Sequence, residues 1–180
     1  MNKKISVQML TTMALLIALM VVLTRVAGIN TQFFRISFTF VPMLISGMLF
    51  GPFWTGIAAV IADLAGMAIF SAGTPFFPGF TLNAFLTGLI YGYFFYKKDI
   101  TWKNAILATV VTSLIIHLCL TPIWLMIMYK VPLNSWIIWA PRLTKEVVMV
   151  PVQSILFYVV GRAIPIKYLT RNLKMYHLNK

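Results

Sequence analysis

Six apolar runs divide the chain, at about residues 7–27, 36–50, 53–70, 80–96, 105–128 and 143–164, with short stretches rich in Gly, Pro, Asn and Lys between them. Crossing ~30 Å of hydrocarbon at 1.5 Å rise takes about 20 residues, so the pattern predicts a helix through a membrane at each run. The second run is short, contains Pro42, and ends at the breaker pair Gly51-Pro52. Between the third and fourth lies Ser71-Ala-Gly-Thr-Pro-Phe-Phe-Pro-Gly-Phe80, which cannot continue a helix because its prolines lack a backbone donor. It reads as a turn holding Phe76, Phe77 and Phe80 on a stiffened backbone, either as one wall of a binding site or as ordinary interfacial anchors. Thr101 to Asn104 reads as a loop, and so does Tyr129 to Pro141, with two prolines, Trp136 and Trp139. No strand pattern or soluble domain appears. The expectation is an all-α integral membrane protein, one domain over residues 1–180 with six transmembrane helices and a basic tail at 165–180.

Composition narrows the class. A chain 61% hydrophobic and only 10% charged, with mean hydropathy +0.91, has too little polar surface to be a soluble domain. The single cysteine, Cys119, lies in an apolar run and supports neither a disulfide framework nor a thiolate metal site. Lys3 and Lys4 precede the first run as in a signal peptide, but the run is too long for an h-region, so it is kept as a mature span.

Fifteen Lys and Arg against three Asp and Glu give a formal charge of +12, which raises nucleic acid as a partner. The cations stand at the ends of apolar runs rather than on one face, and membrane topology explains most of them, so no nucleic acid is expected. With the amino terminus inside, ten of the fifteen fall on the inner side, which places both termini in the cytoplasm by the positive-inside rule.

The outer cations are the anomaly. Arg25, Arg35, Arg142 and Lys145 lie near outer span ends with one carboxylate, Glu146, for company. Snorkelling to lipid phosphates explains any one of them, less readily all four. The reading is an outward-facing pocket where these cations meet an anionic ligand while Phe76, Phe77, Phe80, Trp136 and Trp139 stack on a planar ring. Asp63 and His117 are the other ionisable groups at membrane depth. Asp63 reads mostly as a packing group among Ala59, Ala62, Ala65 and Gly66, and His117 as either a packing contact or a pocket residue. Neither has a second metal ligand at i+3 or i+4. Ala14 and Ala18 share a helix face where another backbone could approach, inside the protein or on a partner. Three widely separated carboxylates make an enzyme hard to support, and no G-x-x-x-x-G-K-[ST] loop holds ATP, so energy would come from another subunit or an ion gradient.

Four blocks carry a resemblance: Arg35-Ile-Ser-Phe-Thr-Phe-Val-Pro42, Gly47-Met-Leu-Phe-Gly-Pro-Phe-Trp54, Ala62-Asp63-Leu, and Phe77-Pro-Gly-Phe-Thr-Leu-Asn-Ala-Phe-Leu-Thr-Gly-Leu-Ile-Tyr-Gly92. With the Ala14-x-x-x-Ala18 pair and Pro141-Arg-Leu-Thr-Lys145, the chain resembles the substrate-binding S components of energy-coupling factor (ECF) vitamin transporters, most of all the folate-specific ones. The resemblance implies a vitamin site at the outer face, a transmembrane coupling protein that meets Ala14 and Ala18, and two cytoplasmic ATPases. Folate suits the residues: flat rings for the aromatics, glutamate carboxylates for the cations. The expected substrate-binding set is Arg25, Arg35, Phe76, Phe77, Phe80, Asn83, His117, Trp139, Arg142 and Lys145, with no cofactor. Alternatives are the same kind of component for another anionic vitamin such as pantothenate, or an assembly subunit that binds no small ligand.

Overall fold

Proline and glycine set most of the helix boundaries. The computed structural model describes residues 7–25, 28–30, 35–69, 76–130 and 136–164. Helix α1 runs Val7–Arg25, and after it two short strands, β1 (Ile29–Asn30) and β2 (Arg35–Ile36), pair antiparallel with Ile29 opposite Ile36 and Asn30 opposite Arg35. The second apolar run does not become helical until Phe40: α2 is Phe40–Phe50. The delay has a side-chain cause. Thr39 Oγ1 lies 2.8 Å from Ser37 Oγ and 2.7 Å from Thr24 Oγ1, so these hydroxyls tie the entry turn to the end of α1.

Gly51 closes α2 at φ 84°, a conformation that an L side chain resists, and Pro52 opens α3 (Pro52–Ile69). Pro78 likewise opens α4 (Pro78–Phe95), with Phe77 before it held extended. The fifth run starts earlier than expected, since Thr101 caps it: its side chain accepts from the Asn104 N–H at 3.3 Å. From there α5 (Trp102–Thr112), a π-helical segment (Ser113–Leu120) and α6 (Thr121–Tyr129) form one continuous stretch. The last helix, α7, spans Trp136–Ala163 and so takes in part of the expected loop. Prolines 141 and 151 sit inside it, each removing only one ladder donor from a 28-residue helix.

Helices α3 and α4 pack backbone to backbone. A Cβ on Gly88 would stand 2.7 Å from Gly56 Cα, and one on Gly92 would collide with the backbone of Pro52. Where lipid removes the hydrophobic drive between helices, such close approach supplies the dispersion that holds them. Helix α2 is buried along nearly its whole length, nine of its eleven residues, and its one polar side chain, Ser46, donates to Thr55 Oγ1 of α3 at 3.3 Å. Beside it the rings of Phe40, Tyr91, Phe95 and Phe157 meet edge to face, Tyr91 and Phe157 with centroids 4.9 Å apart. The exterior is apolar too: Leu10, Leu15, Tyr93, Leu107, Val147 and Val159 are all exposed. Four helical stretches are long and apolar enough to cross a bilayer: Val7–Arg25, Pro52–Ile69, Trp102–Tyr129 and Arg142–Ala163. The chain is therefore an α-helical protein of membrane type.

Candidate functional site

Above the aromatic cluster lies a cavity of about 310 Å³. Regular spacing along three helices builds it. On α7, Arg142, Lys145, Glu146, Met149 and Gln153 recur at helical intervals and all line it; on α4, Phe80, Asn83, Ala84, Thr87 and Tyr91 follow the same spacing. Helix α3 adds Ala59, Ala62, Asp63 and Met67, the small residues leaving the volume open. Met20 and Thr24 of α1, Ser37, Thr39, and Phe40 and Met43 of α2 complete that side. Tyr91, 2% exposed, forms the floor, since its ring also packs on Phe157.

One wall is cationic. Arg142, 5% exposed, donates from Nη1 to the His117 carbonyl at 3.0 Å. Lys145 Nζ lies 3.6 Å from Glu146 Oε1, and Ser113 Oγ donates to Glu146 Oε2 at 2.6 Å. Two cations and one carboxylate gather on α7, while the second lining carboxylate, Asp63, comes from α3, so positive charge is concentrated where an anionic group could meet it. His117 lines the cavity beside them.

Another part of the lining is aromatic. Phe77 packs against Phe80 (centroids 6.0 Å) and Trp124 (5.8 Å), and Phe76, half exposed, stands outermost of the three phenylalanines. Gly79 makes this possible: a Cβ there would come within 2.6 Å of the Trp124 ring. Trp124 Nε1 donates to Asn83 Oδ1 at 3.0 Å while Asn83 Nδ2 donates to Thr121 Oγ1 at 3.1 Å, so the Asn83 amide has a single orientation. Asp63 accepts from Thr81 Oγ1 at 2.9 Å and lines the cavity, with no ion pair among the described residues.

Of the expected residues, Phe76, Phe77, Phe80, Asn83, His117, Arg142 and Lys145 are thus brought together. Arg25 is not among the lining residues: its side chain crosses α3 at Gly66, where a Cβ would stand 3.0 Å from Nε, and its Nε and Nη2 are buried without an acceptor among the described residues. Trp139 is half-buried and also off the lining. The Arg35 and Trp136 side chains and residues 71–75 lie outside the described residues. Ala14 and Ala18 are exposed, so their face does not pack inside the protein. Sequence reasoning missed the lining residues Thr121, Tyr91, Thr87 and Gln153, and Trp124, which supports Phe77 and Asn83 from behind the lining, and set Asp63 aside as packing. The helical spacing from Arg142 and from Phe80 marks Gln153, Thr87 and Tyr91; nothing in the sequence joins Trp124 to Asn83.

The family described as "ECF transporter, substrate-specific component" matches residues 8–161. A protein named "Folate transporter FolT" from Clostridium novyi is 40% identical over 156 residues, 87% of this chain and 88% of that one. One of the same name from Leuconostoc mesenteroides is 34% identical over 155 residues, 83% and 82% of the two chains. The structure "Crystal structure of FolT bound with folic acid" superposes with a TM-score of 0.85 at 47% identity, covering 88% of this chain and 95% of that one.

Proposed function

This chain belongs to the ECF transporter substrate-specific components, and from that membership we propose that it is the folate-binding subunit of an ATP-driven vitamin importer. The observation that carries the substrate is one cavity lined by both aromatic rings and cations. The pterin stacks against Phe77 and Phe80, and the glutamate carboxylates meet Arg142 and Lys145. Asp63, fixed by Thr81, offers a carboxylate to the N–H edge of the aminopyrimidinone ring. A small aliphatic anion such as pantothenate has no use for the stacking wall. The chain carries out no chemistry of its own; it binds cargo and hands it on.

The finer topology belongs to the same proposal. The chain passes the plasma membrane six times as one domain, the second time by the short α2 together with the chain ahead of it, with both termini in the cytoplasm, supported by the ten-to-five division of cations, and the cavity opens outward. A transmembrane coupling protein docks on the exposed Ala14 and Ala18 face, and two cytoplasmic ATPases supply the energy. Equilibrium titration of detergent-purified protein with folate and with pantothenate tests the reading. Saturable, tight binding of folate alone is expected; equal affinities, or binding of neither, would overturn it.

A further inference from the structure

Pro122 lies fully buried two residues past the end of the π-helical segment, and the hydrogen bonds before it do not follow an α-helix. In an α register the Leu118 carbonyl would look for its donor at residue 122, where proline has none and its ring intrudes. The chain instead shifts by one residue. The Thr121 N–H bonds to the Ile116 carbonyl, an i→i−5 pair, and the Thr121 hydroxyl donates to the same oxygen at 2.6 Å. Asn83 Nδ2, donating to that hydroxyl at 3.1 Å, ties the shifted turn to α4.

The shift moves the shortage to His117. Its α-register donor, the Thr121 N–H, is committed to Ile116, and its π-register donor would again be residue 122. Arg142 Nη1 fills that place at 3.0 Å, reaching from α7 across 25 residues of sequence. We infer that Pro122 is a positioning residue: by denying the His117 carbonyl any backbone donor, it recruits the Arg142 guanidinium and fixes it on the cavity wall. Replacement of proline by alanine restores an N–H at 122. Whether that segment then keeps the π register or returns to α, the His117 carbonyl gains a backbone donor that competes with Arg142 for it and weakens the anchor.

The consequence for ligand affinity rests on the folate reading above; the positioning itself does not. Two measurements separate them, each on the full chain in lipid nanodiscs with Pro122→Ala and Pro122→Ser, both of which gain helix propensity over proline. The first is ¹⁵N NMR of guanidinium protons without ligand, the Arg142 signals being assigned by their loss in Arg142→Lys. Exchange-protected Arg142 Nη protons are expected in the wild type and rapid exchange in both variants; unchanged protection would overturn the positioning role. The second is folate affinity. Roughly tenfold weaker binding is expected for Pro122→Ala, the weight of one charge-assisted hydrogen bond. Pro122→Ala combined with Arg142→Gln should bind no more weakly than Arg142→Gln alone. An unchanged affinity, or losses that multiply in the double variant, would show that Pro122 does not act through Arg142. Failure of the wild type to bind folate would sink the substrate reading and leave the NMR result to decide the rest.

Discussion

The two walls of the cavity are built by opposite means. The α3 and α4 wall consists of regular helices pressed together at Gly56 and Gly88, with aromatic side chains added at one end. The wall formed by the π-helical segment, α6 and α7 is held by polar contacts: a guanidinium on a carbonyl, a serine on a glutamate, a threonine bridging two elements. Close packing tolerates no added atom but carries no charge, whereas the irregular wall exposes backbone acceptors that charged groups can occupy. Close helix packing and the cationic part of the ligand chemistry are thereby assigned to different walls, and substitutions should separate them.

Gly88→Leu should have the largest effect. The added side chain begins 2.7 Å from Gly56 Cα and has no direction of escape, so a loss of about 3 kcal/mol or more is expected. Thermal melting in detergent reads it, and a variant melting close to wild type would break the division of labour. Next is Arg142→Ala, which should weaken folate binding roughly a hundredfold, as expected on truncating one member of a buried charged contact. Calorimetric titration would measure it; unchanged affinity would remove the charge half of the substrate reading. Phe77→Ala should cost about tenfold through lost ring contact, with similar losses for folate and for a pterin lacking the glutamate. A loss confined to the glutamate-bearing ligand would reverse the proposed orientation. Ala14→Trp, outside both walls, should leave ligand affinity unchanged while abolishing capture by the coupling protein in co-purification, and weakened folate binding would show that α1 communicates with the cavity.

Much of this was written in the chain, though unevenly. The apolar runs located every long helix because lipid permits only backbone that satisfies its own hydrogen bonds. Boundaries failed where side chains intervened: Ser37 and Thr39 postponed α2, Thr101 advanced α5, and Pro141 disguised the first turns of α7 as a loop. For the site, surplus cations flagged Arg142 and Lys145 because charge near hydrocarbon demands a reason. Asp63 was harder to read, since its small neighbours suit close packing and an open cavity equally well. The Asn83–Trp124 pair joins residues 41 apart, and the register shift before Pro122 depends on which carbonyl finds a donor across the bundle. Neither leaves a local mark in the sequence.

Helix α2 reaches only about 16 Å, eleven residues at 1.5 Å each, roughly half the thickness of the hydrocarbon layer. Its first residues, Phe40 and Met43, face the cavity, so the missing half-length is the hollow itself. On the proposed topology a passenger seated there is already partway into the hydrocarbon layer, shielded by protein on its flanks, and inward delivery is a change in which end of the well meets water.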